Sequence, residues 1–205
     1  MDQIKLVKSK FLKNLFDQNT YVLSSDKDAV IIDAGAEVVD VLNAVKDKNV
    51  RAILITHLHF DHIWNLENYL QVFQCNVFIC KGAEPRFVLP RFNRSEMLYV
   101  PRKFFIEKSR ISFISSHMKF GKIEIFAYFT PGHAADCVSF LWRRNLFSGD
   151  LIFENGIGRT DLPDSDNEKM AYSLNNLLDI DFDNIYPGHY NTLTKSEAKK
   201  IIFNL

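Results

Sequence analysis

Three of the chain's six histidines stand in one short stretch, His57-Leu58-His59-Phe60-Asp61-His62. Imidazole nitrogen and carboxylate oxygen are donors that zinc, iron and manganese all accept, and no cysteine stands among them to narrow the choice. The pattern H-x-H-x-D-H is a specific signal for a metal site. His133 and His189 each follow Pro-Gly, and Asp150 follows Ser148-Gly149. A lone histidine at the end of a strand is more often a hydrogen-bonded structural residue. Seven candidate ligands spread over several strand ends fit that reading poorly. His117 stands apart and reads as ordinary surface.

Short apolar runs precede these residues. Ala29-Val30-Ile31-Ile32 leads into Asp33-Ala34-Gly35, and Ala52-Ile53-Leu54-Ile55 leads into Thr56-His57. Both read as buried strands running into turns. Helical spacing follows each: Val38, Val41, Leu42 and Val45, then Ile63, Leu66, Leu70 and Phe73 from Asp61 onward. Val77–Cys80 is a further strand. In the second half, residues 122–129 alternate as a half-buried strand, and Val138–Trp142 and Leu146–Ser148 form two more around Arg143-Arg144-Asn145. Ile185-Tyr186 ends at Pro187-Gly188-His189. Ser165 with Glu168, and Thr194 with Glu197, read as capping boxes opening two helices. Strands interleaved with helices make an α/β layered chain. In such sheets the loops beyond the strand ends share a crevice, so His57, His133, Asp150 and His189 are expected to converge there. Between Ala83 and Ser112 the pattern weakens around Pro85, Pro90 and Pro101, and a loop or lid segment is expected.

The 205 residues suit one domain, 1–205, and an apolar content of 47% fills a core without staples. Twenty-five basic and 25 acidic side chains balance, so no general affinity for nucleic acid or acidic lipid, which would need a basic excess or stripe, is expected. No run is long and apolar enough to span a membrane, and the first residues carry no apolar segment of a secretory signal. Cys75, Cys80 and Cys137 have no CxxC spacing and read as reduced core thiols, so a cytoplasmic location is expected.

On Asp33-Ala34-Gly35, His57 to His62, Thr130-Pro131-Gly132-His133, Ser148-Gly149-Asp150 and Pro187-Gly188-His189, the chain resembles the metallo-β-lactamase fold superfamily over nearly its whole length. The resemblance implies a four-layer αββα sandwich with two divalent metals at one edge, zinc first, with iron or manganese as alternatives. It implies His57, His59 and His133 on the first metal, Asp61, His62 and His189 on the second, and Asp150 bridging both. Asp33 would orient ligands from behind.

Gly156-Ile157-Gly158-Arg159-Thr160-Asp161-Leu162-Pro163 and the tail Pro187 to Thr192 are similar to small glyoxalase-II-like hydrolases. That implies cleavage of a small-molecule thioester by a hydroxide shared between the metals, with Asp61 orienting it and a thiolate leaving. Arg159 stands where those relatives place a basic substrate-binding residue, and a bidentate contact to a substrate carboxylate is expected. Its alternative role is structural, tied to Asp161 or Asp164. Trp64-Asn65 and Tyr190-Asn191 depart from the glycines and proline common in those relatives, which bears on the substrate pocket. The 16 residues after His189 are too few for the helical domain with which full-length glyoxalase II holds glutathione. Other readings are a mononuclear-iron sulfur (persulfide) dioxygenase, whose motif is similar, a phosphodiesterase, and a non-catalytic relative. No nucleic-acid or membrane partner is expected, and the oligomeric state is open.

Overall fold

The computed structural model describes residues 2–9 and 17–205. One six-stranded sheet holds, side by side, β1 (Gln3–Lys8), β2 (Asn19–Ser25), β3 (Asp28–Ile32), β4 (Asn49–Leu54), β5 (Asn76–Ile79) and β6 (Ile111–Phe113). The first three form an antiparallel meander, and β3 to β6 run parallel. Two helices, α1 (Val38–Val45) and α2 (Leu66–Val72), make the crossovers around β4. A short helix, α3 (Pro90–Asn93), lies in the crossover between β5 and β6.

The second sheet is built from β7 (His117–Phe120), β8 (Ile123–Phe129), β9 (Val138–Trp142) and β10 (Asn145–Gly149). A small hairpin follows, β11 (Ile152–Phe153) with β12 (Gly156–Ile157), then helix α4 (Asn167–Leu177). Strands β13 (Asn184–Pro187) and β14 (Leu193–Thr194) and helix α5 (Lys195–Phe203) complete the chain. The order across this sheet is β14-β13-β10-β9-β8-β7, with β13 parallel to β10.

Strand alternation sorts the apolar residues into three interfaces, because successive side chains point to opposite faces. Val22, Ile31, Ile53 and Val77 pack with Val41, Val45, Leu66 and Tyr69 of the first two helices. Leu23, Val30, Ile32 and Leu54 point the other way, against Ile123, Ile125, Val138, Phe140 and Phe147 of the second sheet. Leu141, Leu146 and Ile185 meet Met170, Leu174, Leu177 and Ala198 of α4 and α5. Helix, sheet, sheet, helix is the four-layer sandwich expected, and it explains why every residue of β2 and β3 is buried.

Two helix starts differ from the sequence reading. The turn from Phe60 to Asn65 closes with short i→i+3 bonds (His62 N–H to His59, Ile63 N–H to Phe60, Leu66 N–H to Ile63), so α2 begins only at Leu66. Asp61 and His62 both have to face the strand ends, which a regular helix would not allow. For α4 the cap is Asp166, whose side chain accepts the Glu168 and Lys169 N–H groups at 3.0 Å, while the Ser165 hydroxyl turns back to Leu162. The Thr194–Glu197 capping box is present as expected. Cys75 and Cys137 are buried and Cys80 is half-buried, all three as free thiols. Among the described residues, no helix is long and apolar enough to cross a membrane.

The stretch 83–112 is a folded wall, not an open loop. Asn93 is fully buried, with Nδ2 donating to the carbonyls of Arg86 (3.0 Å) and Arg102 (3.3 Å), and its own carbonyl accepts the Phe60 N–H at 2.7 Å. Arg102 bonds Glu67 at 3.0 Å and lies 4.2 Å over the Trp64 ring.

Candidate metal centre

The carboxyl ends of β3, β4, β10 and β13 meet at one edge of the sandwich. Asp33 follows β3, Thr56 and His57 follow β4, Asp150 follows β10 and His189 follows β13. His133 sits in the turn between β8 and β9. Backbone bonds tie these turns together: Asp33 N–H to Leu54 O (2.9 Å), Val138 N–H to Thr56 O (2.9 Å) and Gly188 N–H to Gly149 O (2.9 Å).

All seven candidate ligands converge there. His59 Nδ1 lies 3.0 Å from His57 Nε2 and 3.0 Å from His133 Nε2. On the other side, His189 Nε2 lies 3.2 Å from Asp61 Oδ2, and His62 Nε2 lies 3.9 Å from the same oxygen. Asp150 stands between the two groups. Its Oδ1 is 3.2 Å from His62 Nε2, and its Oδ2 is 3.5 Å from both His133 Nε2 and His189 Nε2. Three sets, His57/His59/His133, His57/His62/Asp150 and Asp61/His62/His189, each bring ligand atoms within 4.8 Å of one another.

The rings are aimed from behind. Asp33 takes a left-handed φ of 62° and is buried. Its carboxylate accepts the Thr56 N–H (2.8 Å) and hydroxyl (2.9 Å) and lies 2.7 Å from His62 Nδ1. His133 Nδ1 faces the Arg159 carbonyl and His189 Nδ1 the Asp17 carbonyl, each at 2.9 Å. Fixing Nδ1 in this way leaves Nε2 to face the centre. Gly188 is required by close approach, since a Cβ there would lie 2.3 Å from Asp150 Oδ1.

Burial, with repulsion from neighbouring imidazoles, holds His57 and His59 well below the usual histidine range, so their lone pairs stay free. Burial opposes charge on His62 too, but Asp150, Asp33 and Asp61 overcome it and raise that ring to about 10. His189 is likewise raised well above its usual value, against burial, by Asp150 and Asp61. Burial would raise both carboxyls, yet the facing histidines hold Asp61 at about 2 and Asp150 well below the usual carboxylate range. His59 Nε2, His62 Nε2 and Asp150 Oδ1 are buried without a hydrogen-bond partner. Buried donors and acceptors are normally satisfied. Converging imidazole nitrogens 3.0 Å apart, close to the roughly 3.3 Å edge of a tetrahedron with 2.0–2.1 Å bonds, fit a shared cation.

A cavity of about 750 Å³ opens over the cluster, with His59, Asp61, His133, Asp150 and His189 on its floor and Arg94, Arg159, Phe153 and Tyr190 on its walls. Arg159 is on the wall as expected, but its guanidinium forks onto Asp161 at 2.9 and 2.8 Å. Tyr190 and Asn191 also line the cavity, whereas Trp64 and Asn65 do not. Asn65 instead holds the Asp33 turn through Gly35 O at 3.0 Å. His117 is an exposed partner of Glu124.

Sequence reasoning missed three residues. Thr56 bridges Asp33 and the His57 ring, and its place directly before His57 was the available signal. Asp136 accepts the Leu58 N–H at 2.9 Å, inside the histidine motif, and Arg86 reaches from the wall to Asp136 and Asp164. No local pattern announces that pairing across distant segments.

A family model described as "Metallo-beta-lactamase superfamily" matches residues 14–189. Among curated relatives, the probable metallo-hydrolase YqgX of Bacillus subtilis is 31% identical over 170 residues, 78% of each chain. The hydroxyacylglutathione hydrolase GloC of Haemophilus influenzae is 27% identical over 203 residues, 90% of this chain and 91% of that one. Among solved structures, the BLEG-1 B3 metallo-beta-lactamase superposes with a TM-score of 0.86 at 27% identity, covering 97% of both chains.

Proposed function

Since the chain belongs to the metallo-beta-lactamase superfamily, we propose that it is a dinuclear metal-dependent hydrolase acting on small thioesters. The observation that carries this reading is Asp150, which stands between the two ligand sets, with Oδ1 facing His62 and Oδ2 facing both His133 and His189. His57, His59 and His133 would hold one ion, Asp61, His62 and His189 the other, with Asp150 shared. Zinc suits the nitrogen-rich set, and iron or manganese are the alternatives. Two bound ions supply Lewis acidity and a water whose pKa falls to roughly 7.

The protein's own groups do the rest. Asp33 fixes the His62 ring, the Arg159 carbonyl fixes His133, and the Asp17 carbonyl fixes His189. Asp61, paired with His189 through Oδ2, keeps its other oxygen to orient the proton of the attacking water. A thiol, with a pKa near 8.5, leaves as its anion without a proton donor, whereas an amine leaving group would need one. The likeness to a hydroxyacylglutathione hydrolase supports a thioester over other esters. Three free cysteines support a reducing, cytoplasmic location.

The test is a substrate panel on the zinc-loaded protein: acyl thioesters including lactoylglutathione, a nitrophenyl phosphodiester and a chromogenic β-lactam. Thioester turnover well above the other two is expected. Turnover of the phosphodiester or the β-lactam alone, or oxygen uptake by an iron-loaded form, overturns the reading.

A further inference from the structure

Two arginines stand on the cavity wall, and they differ in what their guanidinium groups have left to offer. Arg159 is 62% exposed, and its Nε and Nη2 are both engaged by Asp161. Arg94 is only 14% exposed; among the described residues its hydrogen-bond partner is Glu96, through Nη1, and Asp161 lies within its electrostatic reach. Its Nε is buried without a hydrogen-bond partner, on the side of the fork that can pair with a planar carboxylate.

The backbone places Arg94 beside the metal motif. It directly follows Asn93, whose carbonyl accepts the N–H of Phe60, the residue between His59 and Asp61. Asn93 is itself locked by its Nδ2 bonds to Arg86 and Arg102. Arg94 adopts a left-handed φ of 65°, a conformation that residues other than glycine, asparagine and aspartate rarely take, and its side chain reaches the cavity with Met97 and Leu162. A charged side chain held in so fixed a place, with its Nε unpaired, is placed to receive an anion.

The surroundings choose the anion. Outside the ligand cluster, Asp17 and Glu154 line the same cavity together with Lys8, and Glu96 neutralises part of Arg94. A phosphate dianion would meet these acids, while a single planar carboxylate needs only the Nε side of the fork. We propose that Arg94, not Arg159, anchors a carboxylate of the substrate, so that the physiological substrates are thioesters bearing a free carboxylate. The identity of the scissile group rests on the hydrolase reading above, whereas the anion contact does not.

The experiment uses the zinc-loaded protein and two matched pairs of probes. The first pair is the thioester of acetic acid with 3-mercaptopropionate and its methyl ester, read by kcat/KM. The second is the uncleavable thioether 3-(2-oxopropylthio)propanoate and its methyl ester, read by calorimetric binding. Wild type is expected to favour the carboxylate member of each pair by about tenfold or more, the usual worth of a charged hydrogen bond. Arg94→Met should abolish the preference with metal content unchanged, Arg94→Lys should restore part of it, and Arg159→Met should keep it. A preference that survives Arg94→Met, disappears in Arg159→Met, or is absent from wild type overturns the assignment. Carboxylate binding through Arg94 without thioester cleavage would overturn the proposed reaction and leave the binding site standing. Should Arg94→Met fail to fold, a preference reduced below that of wild type in Arg94→Lys supports the assignment, and one that persists there at full strength overturns it.

Discussion

Replacing Arg86 by methionine keeps most of the aliphatic volume and deletes one buried charge. Arg86 reaches Asp164 Oδ2 at 2.5 Å and Asp136 Oδ1 at 3.4 Å, and the three side chains are 12%, 10% and 5% exposed. Removing one member of such a cluster leaves uncompensated charge, which costs about 3–5 kcal/mol. A second estimate bounds this from above. Burial already pushes the Asp136 carboxyl up, with Arg86 and the Leu58 N–H pulling it back. Without Arg86 it can take up a proton, and each pH unit between 3.9 and 7 costs about 1.4 kcal/mol, hence about 4 kcal/mol in all. A loss of about 3–4 kcal/mol at pH 7 is therefore expected, a fall in Tm of about 6–16 °C for a chain of this size. The sign of the pH effect follows. The folded variant holds a proton that its unfolded chain has released, so its stability falls as pH rises and recovers as pH falls. Calorimetry at matched metal load between pH 6 and 8 should show the deficit shrinking on acidification by up to about 1.4 kcal/mol per unit. Adding Asp136→Asn, which keeps an acceptor for Leu58, should remove most of that pH dependence. A Tm change under about 2 °C at pH 7, or a deficit that grows on acidification, would refute the reasoning.

Asp33→Asn replaces a carboxylate that serves Thr56 and His62 with an amide that turns a donor toward one of them; metal affinity should fall about 10- to 100-fold in competition with a chromophoric chelator, and unchanged affinity would count against the orienting role. Gly188→Ala places a Cβ 2.3 Å from Asp150 Oδ1 and 2.6 Å from His62 Cε1. It should weaken the ion on the Asp61/His62/His189 side while sparing His57/His59/His133, seen as loss of one equivalent on dialysis. Retention of both ions would show that the Gly188 contact is not limiting.

The catalytic edge was legible because its residues sit at the ends of strands whose apolar runs are short and unmistakable. Ile31-Ile32 before Asp33 and Leu54-Ile55 before Thr56-His57 placed two turns, and Pro-Gly before His133 and His189 placed two more. Strand β2 was not legible: Asn-Thr-Tyr-Val-Leu-Ser-Ser mixes polar and apolar residues, yet all are buried because a neighbouring strand pairs on each side and other layers cover both faces. Ser165 looked like a cap because Glu168 has the right spacing, but Asp166 accepts two N–H groups and wins the position. The wall over the metal centre was opaque for a different reason. Prolines mark where regular structure stops, and they carry no information about Arg86 finding Asp136 and Asp164 far along the chain.

Metal content per chain tests the two-ion centre most directly. After reconstitution with zinc and removal of loosely held ions, elemental analysis should give two equivalents for wild type. His59→Ala should lose metal and thioester turnover together, since His59 Nδ1 faces both His57 and His133. One iron per wild-type chain accompanied by oxygen uptake, or full turnover in His59→Ala, would contradict a dinuclear hydrolase.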